Sequence, residues 1–511
     1  MYTKIYSATT IGVDAYPVDV EVDLSFGMLQ FNIVGLPDAA IKESRQRIHT
    51  ALKNCGVKLP ERKITVNLAP ADLKKEGTIF DLPIALGILH AAQVLDIPQD
   101  FLQTTLFLGE LSLDGTIKPI KGALPIAYDA HKINKTRLIV PLENAQEAAL
   151  IKEIEVIGVG HLLDLIAYIK KEQHISPTQA PVIQKNKHHY HVDFDEVKGQ
   201  VQCKRALQIA AAGRHNILFI GSPGSGKTML AKRLSTIMPP MTFDEILETS
   251  KIYSVSGKLG NQALVTERPL RNPHHTTSQA GLVGGGSMPQ PGEISLAHNG
   301  ILFLDELTEF KRSTLEVLRQ PLENKTVAIA RAQHSLTFPA SFLLIAALNP
   351  CPCGYLGDKK KNCTCTPQNI ARYLDKLSGP LLDRIDLQIA VQPIEYETIA
   401  NKDQNISSQQ LFEKVEKAIK RQEARFKNNY TWNASMPSGQ VEIYCVLTER
   451  AEVLVKKAFE RLRLSMRGYH KLLKVARTIA DLEDCDIIDH THIQEAIMYR
   501  SLDQTFERNN G

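Results

Sequence analysis

The pattern of apolar and polar positions divides the chain into stretches of different character. Residues 1–172 alternate segments of period-two and helical spacing, which indicates a mixture of strands and helices. Residues 193–395 contain short runs of consecutive apolar side chains, typical of buried parallel strands. Beyond residue 396 the apolar side chains recur at helical spacing. We therefore predict an α/β protein with an α+β amino-terminal domain, a core of parallel sheet with flanking helices, and a helical carboxyl-terminal region.

The elements of the amino-terminal domain are predicted individually. A helix begins at Pro37-Asp38 and closes at Gly56. A hairpin turns at Asp114-Gly115, a dipeptide favoured in tight turns. The other predicted elements are two strands within 11–30, a strand at 64–68, a helix at 81–95, and strand–helix pairs starting at 136 and 154.

One loop carries the clearest chemistry of the core. An apolar, strand-like run precedes it, and a segment of helical composition follows it, which is the context that a phosphate-binding P-loop requires. Glycines let backbone N–H groups turn towards a phosphate, and the following helix adds a favourable dipole. Lys227 would reach the β- and γ-phosphates, and the Thr228 hydroxyl would ligate Mg²⁺. The predicted nucleotide-binding residues are Gly221, Ser222, Pro223, Gly224, Ser225, Gly226, Lys227 and Thr228.

Two later apolar runs end in polar residues. The first ends at Asp305 and Glu306, and acids are costly at the end of a buried strand unless a cation or a reaction requires them. This run matches a Walker B motif, in which Asp305 holds the Mg²⁺ shell and Glu306 orients and polarises the attacking water. The second ends at Asn349, the expected form of a sensor 1 that bonds the γ-phosphate or the water. ATP and Mg²⁺ are therefore the predicted ligands.

Composition limits the partners and the cellular compartment that we expect for this protein. The chain has 60 Lys and Arg against 56 Asp and Glu, a net charge of +4, so any nucleic-acid binding must come from a local patch. No apolar run is long enough to span a membrane, and the amino terminus lacks the pattern of a signal peptide. Four of the eight cysteines are scattered singly, as in a reduced compartment. We therefore expect a cytoplasmic protein.

The other four cysteines, Cys351, Cys353, Cys363 and Cys365, bracket one short loop. Four thiols on one hairpin can close a tetrahedral Zn²⁺ site. Their C-x-C spacing is tighter than the common C-x₂-C spacing, and a cytosolic setting argues against disulfides. Two interpretations stay open, a structural zinc site or four free thiols.

Two further segments of the core have open roles. Residues 240–298 form a long polar, glycine-rich insertion, which is either a structural loop or a mobile element that contacts a substrate in a central pore. Residues 326–338 predict a hairpin before the sensor strand, and in related helicases such a hairpin grips nucleic-acid backbone inside a ring. We predict DNA contacts by Arg331 and His334 near its tip, the alternative for Arg331 being an ordinary exposed arginine.

Two arginines resemble functional parts of ring-forming ATPases. The segment from Asp383 to Asp386 resembles an arginine-finger stretch, which implies that Arg384 acts on the nucleotide of a neighbouring subunit. The alternative for Arg384 is a salt bridge within the chain. Arg467 resembles the sensor 2 arginine of a helical lid, which reaches the γ-phosphate. Arg477 is a weaker candidate for that role and fits a structural position on a helix face better.

The amino-terminal domain resembles the proteolytic domain of Lon-type proteases. Ile79 stands where that family carries its nucleophilic serine, and Leu124 stands where it carries the catalytic lysine. Neither side chain can exchange a proton, so the resemblance implies a Lon-like fold without protease chemistry. The likeness rests on residues 75–77, 108–111, 115–122 and 138–141.

In chain order, these motifs resemble the YifB/ComM family of magnesium-chelatase-like AAA+ ATPases over essentially the whole chain. The resemblance implies a homo-oligomeric ring, a hexamer, with ATP bound between subunits. For ComM-type members it implies ATP-driven unwinding and branch migration of DNA during uptake and recombination, with single-stranded or branched DNA as the partner. The predicted parts are a Lon-like domain at 1–172, a polar linker at 173–192, the AAA+ core at 193–395 and the helical lid at 396–511.

Three uses of such a motor compete. The basic hairpin favours a DNA translocase or helicase. The kinship of the core suggests a chelatase-type motor that remodels a protein partner, although the chain lacks an obvious metal-ion-adhesion domain. Ile79 and Leu124 argue against an ATP-dependent protease.

Overall fold

The structure is a computed structural model of the 511-residue chain, and backbone contacts separate it into two units. The first combines Met1–Gln184 with Ile246–Thr266, and the second combines Lys185–Glu245 with Glu267–Gly511. Within the described part of the chain, no helix is both long and apolar enough to cross a membrane. The described residues are 1–28, 30–57, 62–75, 77–181, 192–260, 262–286, 289–330, 335–358, 360–393, 405–427 and 432–500.

The first unit contains a mixed sheet and a parallel sheet. Its strands are β1 (Tyr2–Ile11), β2 (Asp14–Ser25), β3 (Gln30–Val34), β4 (Lys63–Ala69), β5 (Thr105–Phe107), β6 (Glu110–Leu111), β7 (Ile117–Lys118), β8 (Arg137–Pro141) and β9 (Glu155–Val159). Its helices include α1 (Ala39–Asn54), α2 (Asp81–Ala91), α3 (Gln99–Thr104), α4 (Ala123–Ala130), α5 (Ala145–Ala148) and α6 (Leu162–Ile169). The mixed sheet has the order β1-β2-β4-β3, the parallel sheet has the order β5-β8-β9, and β6 and β7 form a hairpin.

Local sequence signals explain most boundaries of the first unit. Helix α1 begins after Asp38, whose carboxylate accepts a hydrogen bond from the Ile41 N–H at 2.8 Å, and Gly56 with φ +78° follows its end. Helix α2 ends at Ala91 and not near residue 95 as predicted, because the chain turns through a left-handed φ of 60° at Gln93. The predicted strands start only at residue 11, whereas the structure begins a strand at Tyr2 that pairs with β2 along its length.

The insertion at 240–298 is not a simple loop. It contains the helix Phe243–Ser256, and residues 246–266 belong to the first unit. The Gly122 N–H donates to the Ser254 carbonyl oxygen at 3.2 Å, and the Lys251 ammonium lies 3.1 Å from the centre of the Tyr128 ring. Burial lowers the pKa of Lys251 to about 8. This part of the insertion is therefore packed into the fold of the first unit.

The second unit contains a five-stranded sheet and its flanking helices. Its strands are β10 (Ile217–Gly221), β11 (Leu270–Arg271), β12 (Gly284–Gly285), β13 (Gln290–Pro291), β14 (Ile301–Leu304), β15 (Thr326–Ala330), β16 (Ser335–Pro339), β17 (Leu343–Leu348) and β18 (Leu387–Val391). Its helices in the core are α7 (Val201–Gly213), α8 (Lys227–Arg233), α9 (Phe243–Ser256, shared with the first unit), α10 (Gln279–Val283), α11 (Glu293–Leu296), α12 (Arg312–Glu316), α13 (Arg319–Asn324), α14 (Pro367–Leu374) and α15 (Gly379–Leu382). Those of the lid are α16 (Ser408–Phe426), α17 (Ser438–Tyr444), α18 (Glu449–Arg461), α19 (Met466–Leu482) and α20 (His490–Met498).

The strand order of the main sheet brings the predicted motifs to one edge. The order is β11-β14-β17-β10-β18, and all neighbouring strands run parallel. Phe219 and Phe303 on one face of the middle strands and Leu218 and Leu302 on the other are all fully buried, so both faces of the sheet are covered. Parallel strands end at the same edge, so the segments after β10, β14 and β17 meet there. We call this the carboxyl edge and the opposite one the amino edge.

The helices of the lid pack on the core of the second unit, as the helical spacing predicts. The Gln422 side chain on α16 donates to the Ala212 carbonyl oxygen of α7 at 2.9 Å. Arg477 on α19 is 1% exposed and donates to Asp481 at 3.1 Å. The same Asp481 carboxylate accepts a hydrogen bond from Arg425 on α16 at 2.9 Å, so this buried group of charges joins α16 to α19, which agrees with the structural position expected for Arg477.

Candidate ATPase site

The P-loop connects β10 to α8 at the carboxyl edge. Gly224 and Gly226 have φ values of +77° and +94°, in the left-handed region that side chains other than glycine seldom adopt. At Gly221 a Cβ would lie 2.4 Å from the Val391 carbonyl oxygen, so a larger residue would push β18 away from β10. Three glycines of the motif are therefore required by the backbone itself.

The amine of Lys227 joins the P-loop to the sensor strand. It donates to the carbonyl oxygens of Gly221 at 2.7 Å and Ser222 at 3.0 Å, and to Oδ1 of Asn349 at 3.1 Å. Burial lowers the pKa of Lys227, although Asp305 lies near enough to oppose that shift. The structure thus brings Lys227 and Asn349, predicted from separate motifs, into direct contact.

Thr228 and Asp305 offer a pair of oxygen ligands. The Thr228 hydroxyl donates to Oδ2 of Asp305 at 2.6 Å, which links the first turn of α8 to the end of β14. Hydroxyl and carboxylate oxygens are the protein ligands that Mg²⁺ takes beside phosphate and water. The donor set fits an Mg²⁺ ion at this point of the carboxyl edge.

Glu306 follows Asp305 and has a side chain that is 55% exposed. Its backbone adopts a left-handed φ of 50°, and its N–H donates to Oδ1 of Asp305 at 3.0 Å. Its carboxylate lies 3.3 Å from Nδ1 of His275. A turn at this residue directs the two neighbouring carboxylates to different partners.

His275 is a site residue that sequence reasoning did not identify as such. Its ring lies 4.0 Å from that of His274 and packs edge-on against Phe310, with 6.4 Å between centroids. The available signal was its position four residues after β11, a parallel neighbour of β14 in the main sheet. The sequence contains a histidine at this position, but it gives no indication that β11 and β14 pair in parallel.

Arg384 and Arg467 lie together at the amino edge. Both guanidinium groups pair with Glu323 on α13, Arg467 at 2.5 Å from its Oε1 and Arg384 with its Oε2. Asn216, the residue before β10, donates from its side chain to the Arg384 carbonyl oxygen at 3.0 Å. The five residues of β10, about 17 Å of strand, separate this position from the P-loop. Arg467 therefore lies away from the P-loop of its own chain, and the contact with a γ-phosphate that its sensor 2 resemblance implies stays a prediction.

A cavity of about 370 Å³ opens beside the two arginines. Its two carboxylates are those of Glu323 and Asp386. Burial and, to a smaller extent, the neighbouring cations Arg214 and Lys474 together lower the pKa of Lys325 to about 8. The cavity therefore has an excess of positive charge that its own acids do not balance. Its cationic and titratable lining residues are Arg214, Lys325, Arg384, Arg467, His470, Lys471 and Lys474.

The four clustered cysteines meet as the hairpin spacing predicts. Their sulfur atoms all lie within 4.8 Å of one another, just after Asn349 in the chain. The predicted hairpin before the sensor strand also forms, with β15 and β16 paired antiparallel from Thr326–Pro339 to Ala330–Ser335. Arg331 and His334, the predicted DNA contacts, lie outside the described residues.

The fold and the carboxyl-edge site define a P-loop ATPase of the AAA+ class. Three family descriptions match the chain: "Magnesium chelatase, subunit ChlI" over residues 193–399, "Subunit ChlI of Mg-chelatase" over 20–144, and "Magnesium chelatase, subunit ChlI C-terminal" over 405–500. Together these matches leave little of the chain uncovered.

Individual relatives agree with this assignment. "Competence protein ComM" of Haemophilus influenzae is 43% identical over 98% of this chain and 97% of its own length. "Uncharacterized protein YifB" of Escherichia coli is 40% identical over 98% of this chain and 97% of its own. "DNA replication licensing factor Mcm6" of Drosophila melanogaster is 25% identical over 58% of this chain and 33% of its own length. The chain belongs to the YifB/ComM family of magnesium-chelatase-like AAA+ ATPases.

Proposed function

We propose that the chain is a Mg²⁺-dependent ATP-hydrolysing motor that assembles into a homo-hexameric ring and moves along single-stranded or branched DNA. In this proposal it works in the cytoplasm and promotes branch migration during DNA uptake and recombination. The observation that supports a ring is that the residues proposed to act on the nucleotide lie at two opposite edges of one sheet. The P-loop, Asp305 and Asn349 lie at the carboxyl edge, while Arg384 and Arg467 lie at the amino edge.

At the carboxyl edge, each side chain has a distinct task. Lys227 exchanges its carbonyl partners for the β- and γ-phosphates, and Asn349 holds the γ-phosphate or the attacking water. Thr228 and Asp305 hold Mg²⁺, which when bound neutralises phosphate charge. Glu306 orients and polarises the water. Its exposed carboxylate is not part of the Thr228–Asp305 pair that holds Mg²⁺.

The arginines complete a site that lies in another subunit. A guanidinium that stabilises the transferring phosphoryl group must reach it, and one strand length separates these arginines from their own P-loop. In a closed ring with head-to-tail contacts, the amino edge of one subunit can face the carboxyl edge of the next. The excess positive charge of the cavity then meets the anionic nucleotide of that neighbour.

DNA is proposed as the track for two reasons. The β15–β16 hairpin directly precedes the sensor strand β17, so this strand joins the hairpin at its amino end to Asn349 at its carboxyl end and can transmit a change of nucleotide state between them. Arg331 and His334 between its strands then grip the phosphate backbone. The names of two relatives, a competence protein and a DNA replication licensing factor, support the same substrate class.

The test is ATP hydrolysis by the full chain with and without single-stranded and forked DNA. We expect DNA to stimulate the wild type and Glu306→Gln to be nearly inactive in every condition. Arg331→Ala should keep its basal hydrolysis and lose the stimulation. Arg461→Ala, a charge-matched change at an exposed position of α18, should behave like the wild type.

Each other outcome removes a defined part of the proposal. If no DNA stimulates hydrolysis while Glu306→Gln still abolishes it, the assignment of ATPase activity is supported and the assignment of a DNA motor is contradicted. A chelatase-type motor acting on a protein partner is then the better function. Cleavage of casein in an ATP-dependent manner would contradict the assignment of a non-proteolytic amino-terminal domain, in which Ile79 and Leu124 are buried apolar side chains.

A further inference from the structure

The sulfur atoms of the clustered cysteines have the spacing of a metal tetrathiolate. Cys351 Sγ lies 3.3 Å from Cys353 Sγ and 3.6 Å from Cys363 Sγ, and the latter two are 3.6 Å apart. Cys365 Sγ lies within 4.8 Å of all three. Zinc–sulfur bonds of about 2.3 Å in a tetrahedron place the sulfurs about 3.8 Å apart. The sulfur positions therefore surround a point at which a Zn²⁺ ion fits.

Backbone amides support negative charge on these sulfurs. The Cys353 N–H donates to Cys365 Sγ at 3.4 Å, and the Cys365 N–H donates to Cys363 Sγ at 3.5 Å. Such N–H donors from the surrounding chain are the partners that orient and stabilise metal-bound thiolates. The loop thus supplies both the ligands and their supporting hydrogen bonds.

Residues 351–365, the cysteine loop, have few other means of holding a fixed shape. The described residues of this stretch form neither helix nor strand. A turn-rich segment of this length loses considerable conformational entropy when it is ordered. A metal ion that joins its two ends would offset that cost in the way small zinc domains do.

The cysteine loop also touches the nucleotide site. At Gly354, with φ +84°, a Cβ would lie 2.6 Å from Cδ of Pro223 and 3.9 Å from Cγ of Asn349. Pro223 of the P-loop therefore packs against the cysteine loop, and Cys351 follows Asn349 by only two positions.

We propose that Cys351, Cys353, Cys363 and Cys365 bind a structural Zn²⁺ ion, and that the zinc-tied cysteine loop holds the P-loop and Asn349 in the geometry that binds nucleotide. The zinc site stands on its own geometry, whereas the effect on nucleotide rests on the proposed ATP site.

The first experiment measures bound metal in the purified full chain by plasma mass spectrometry. We expect about one zinc per chain in the wild type. Cys351→Ser and Cys363→Ser should lose it, and Cys485→Ser, a cysteine outside the cluster, should keep it. Because a serine variant can fail to fold, the zinc content of the wild type is decisive by itself. Wild-type protein without metal and with its cluster thiols free to react, or with iron in place of zinc, would overturn the site.

The second experiment separates zinc binding from its effect on the P-loop. Gly354→Ala introduces a methyl group against Pro223, whereas Gly357→Ala introduces one with no atom within 4 Å at a similar φ of +77°. Both variants should keep their zinc. Gly354→Ala should bind a fluorescent ATP analogue about tenfold more weakly, equal to about 1.4 kcal/mol, while Gly357→Ala should bind it like the wild type.

The outcomes distinguish this inference from the proposed function. Equal ATP binding by both glycine variants and by the zinc-free cysteine variants would overturn the link between zinc and the P-loop. If the wild type carries zinc yet binds no ATP, the proposed function fails while the zinc site remains. A parallel loss of affinity in Gly354→Ala and in the zinc-free variants would support the whole inference.

Discussion

The two edges of the ATPase sheet differ in how their charges are balanced. At the carboxyl edge the Lys227 amine has three oxygen partners, and the Thr228 hydroxyl is bonded to Asp305. At the amino edge six lysine and arginine side chains line a cavity that contains two carboxylates. The polar groups of the carboxyl edge are paired within the chain. The cavity at the amino edge has more cationic side chains than carboxylates, which favours the binding of an anion.

This difference follows from the task proposed for each edge. A P-loop must hold its shape before the nucleotide arrives, so its polar groups are paired internally. Arginines that act on a neighbour's phosphate need a partner that they can exchange, and both share the exposed carboxylate of Glu323, with the Arg467 side chain 45% exposed and that of Arg384 11% exposed. The comparison therefore predicts that substitutions at the carboxyl edge act within one subunit, whereas those at the amino edge act across the interface.

The largest expected effect is that of Arg384→Ala. We expect ATP turnover to fall by about 10³-fold with nucleotide binding nearly unchanged, because the guanidinium is proposed to act on the transition state in a neighbouring subunit. Steady-state hydrolysis and binding of a fluorescent ATP analogue measure the two quantities.

Mixing of variants distinguishes the neighbour from the same chain. Arg384→Ala and Glu306→Gln should each be inactive alone, and an equal mixture should recover activity at about a quarter of its interfaces. No recovery in rings that demonstrably exchange subunits would place Arg384 in its own site. The same mixture with Arg467→Ala tests whether that arginine also acts across the interface.

The next effect concerns the stability of the amino edge and its pH dependence. Buried Glu245 pairs with Arg214 at 2.6 Å and with Arg268 at 2.8 Å. Burial raises its pKa, but Arg268 and Arg214 outweigh burial and hold the pKa at about 2, below its ordinary value of 4.5. The ionised form is therefore favoured by folding, and its contribution of about 3 kcal/mol is complete above pH 4.5 and lost as the pH falls towards 2.

Urea unfolding between pH 7 and pH 3 measures this contribution. Glu245→Gln should lower the free energy of unfolding at pH 7 and should flatten its fall between pH 5 and pH 3. Glu442→Gln, which changes an exposed acid on α17, should do neither. Equal pH profiles for the wild type and Glu245→Gln would show that the ion pairs of Glu245 with the two arginines do not contribute to the free energy of unfolding.

A smaller effect is expected at the carboxyl edge from His275→Ala. His275 restrains the exposed carboxylate of Glu306, so its removal should lower kcat by about tenfold and leave KM nearly unchanged. His275→Asn, whose amide can occupy the place of Nδ1, should recover much of the loss. His274→Ala is the control, since His274 has no ion pair with Glu306 among the described contacts. Unchanged or faster turnover in His275→Ala would show that the contact does not position the base.

The smallest effect is that of Glu323→Gln. Without the carboxylate that both guanidinium groups share, Arg384 and Arg467 lose a common restraint, and turnover should fall by about threefold. Glu316→Gln, which removes only the pair with Arg319, should leave turnover unchanged. A large loss in Glu323→Gln would mean that the acid itself takes part in the reaction across the interface.

The sequence alone determined the features that depend on a short stretch of chain. The left-handed glycines of the P-loop, the apolar runs of the buried strands and the acids at the end of β14 are local signals. Strand direction follows from them as well, because buried apolar strands of a βα pattern run parallel and end at one edge. The meeting of Lys227, Asp305 and Asn349 could therefore be expected before the structure was known.

Tertiary structure decided the features that depend on how distant elements pack. The polar insertion gave no local sign that its helix α9 belongs with the first unit, because that helix is stabilised by contacts with α4, more than a hundred residues earlier. Arg467 was predicted to reach a γ-phosphate, and only the packing of α19 against the core shows that it lies beside Glu323 and Arg384. His275 likewise reaches Glu306 only through the pairing of β11 with β14. Long-range packing is set by the complementarity of whole surfaces, and no short stretch of sequence contains it.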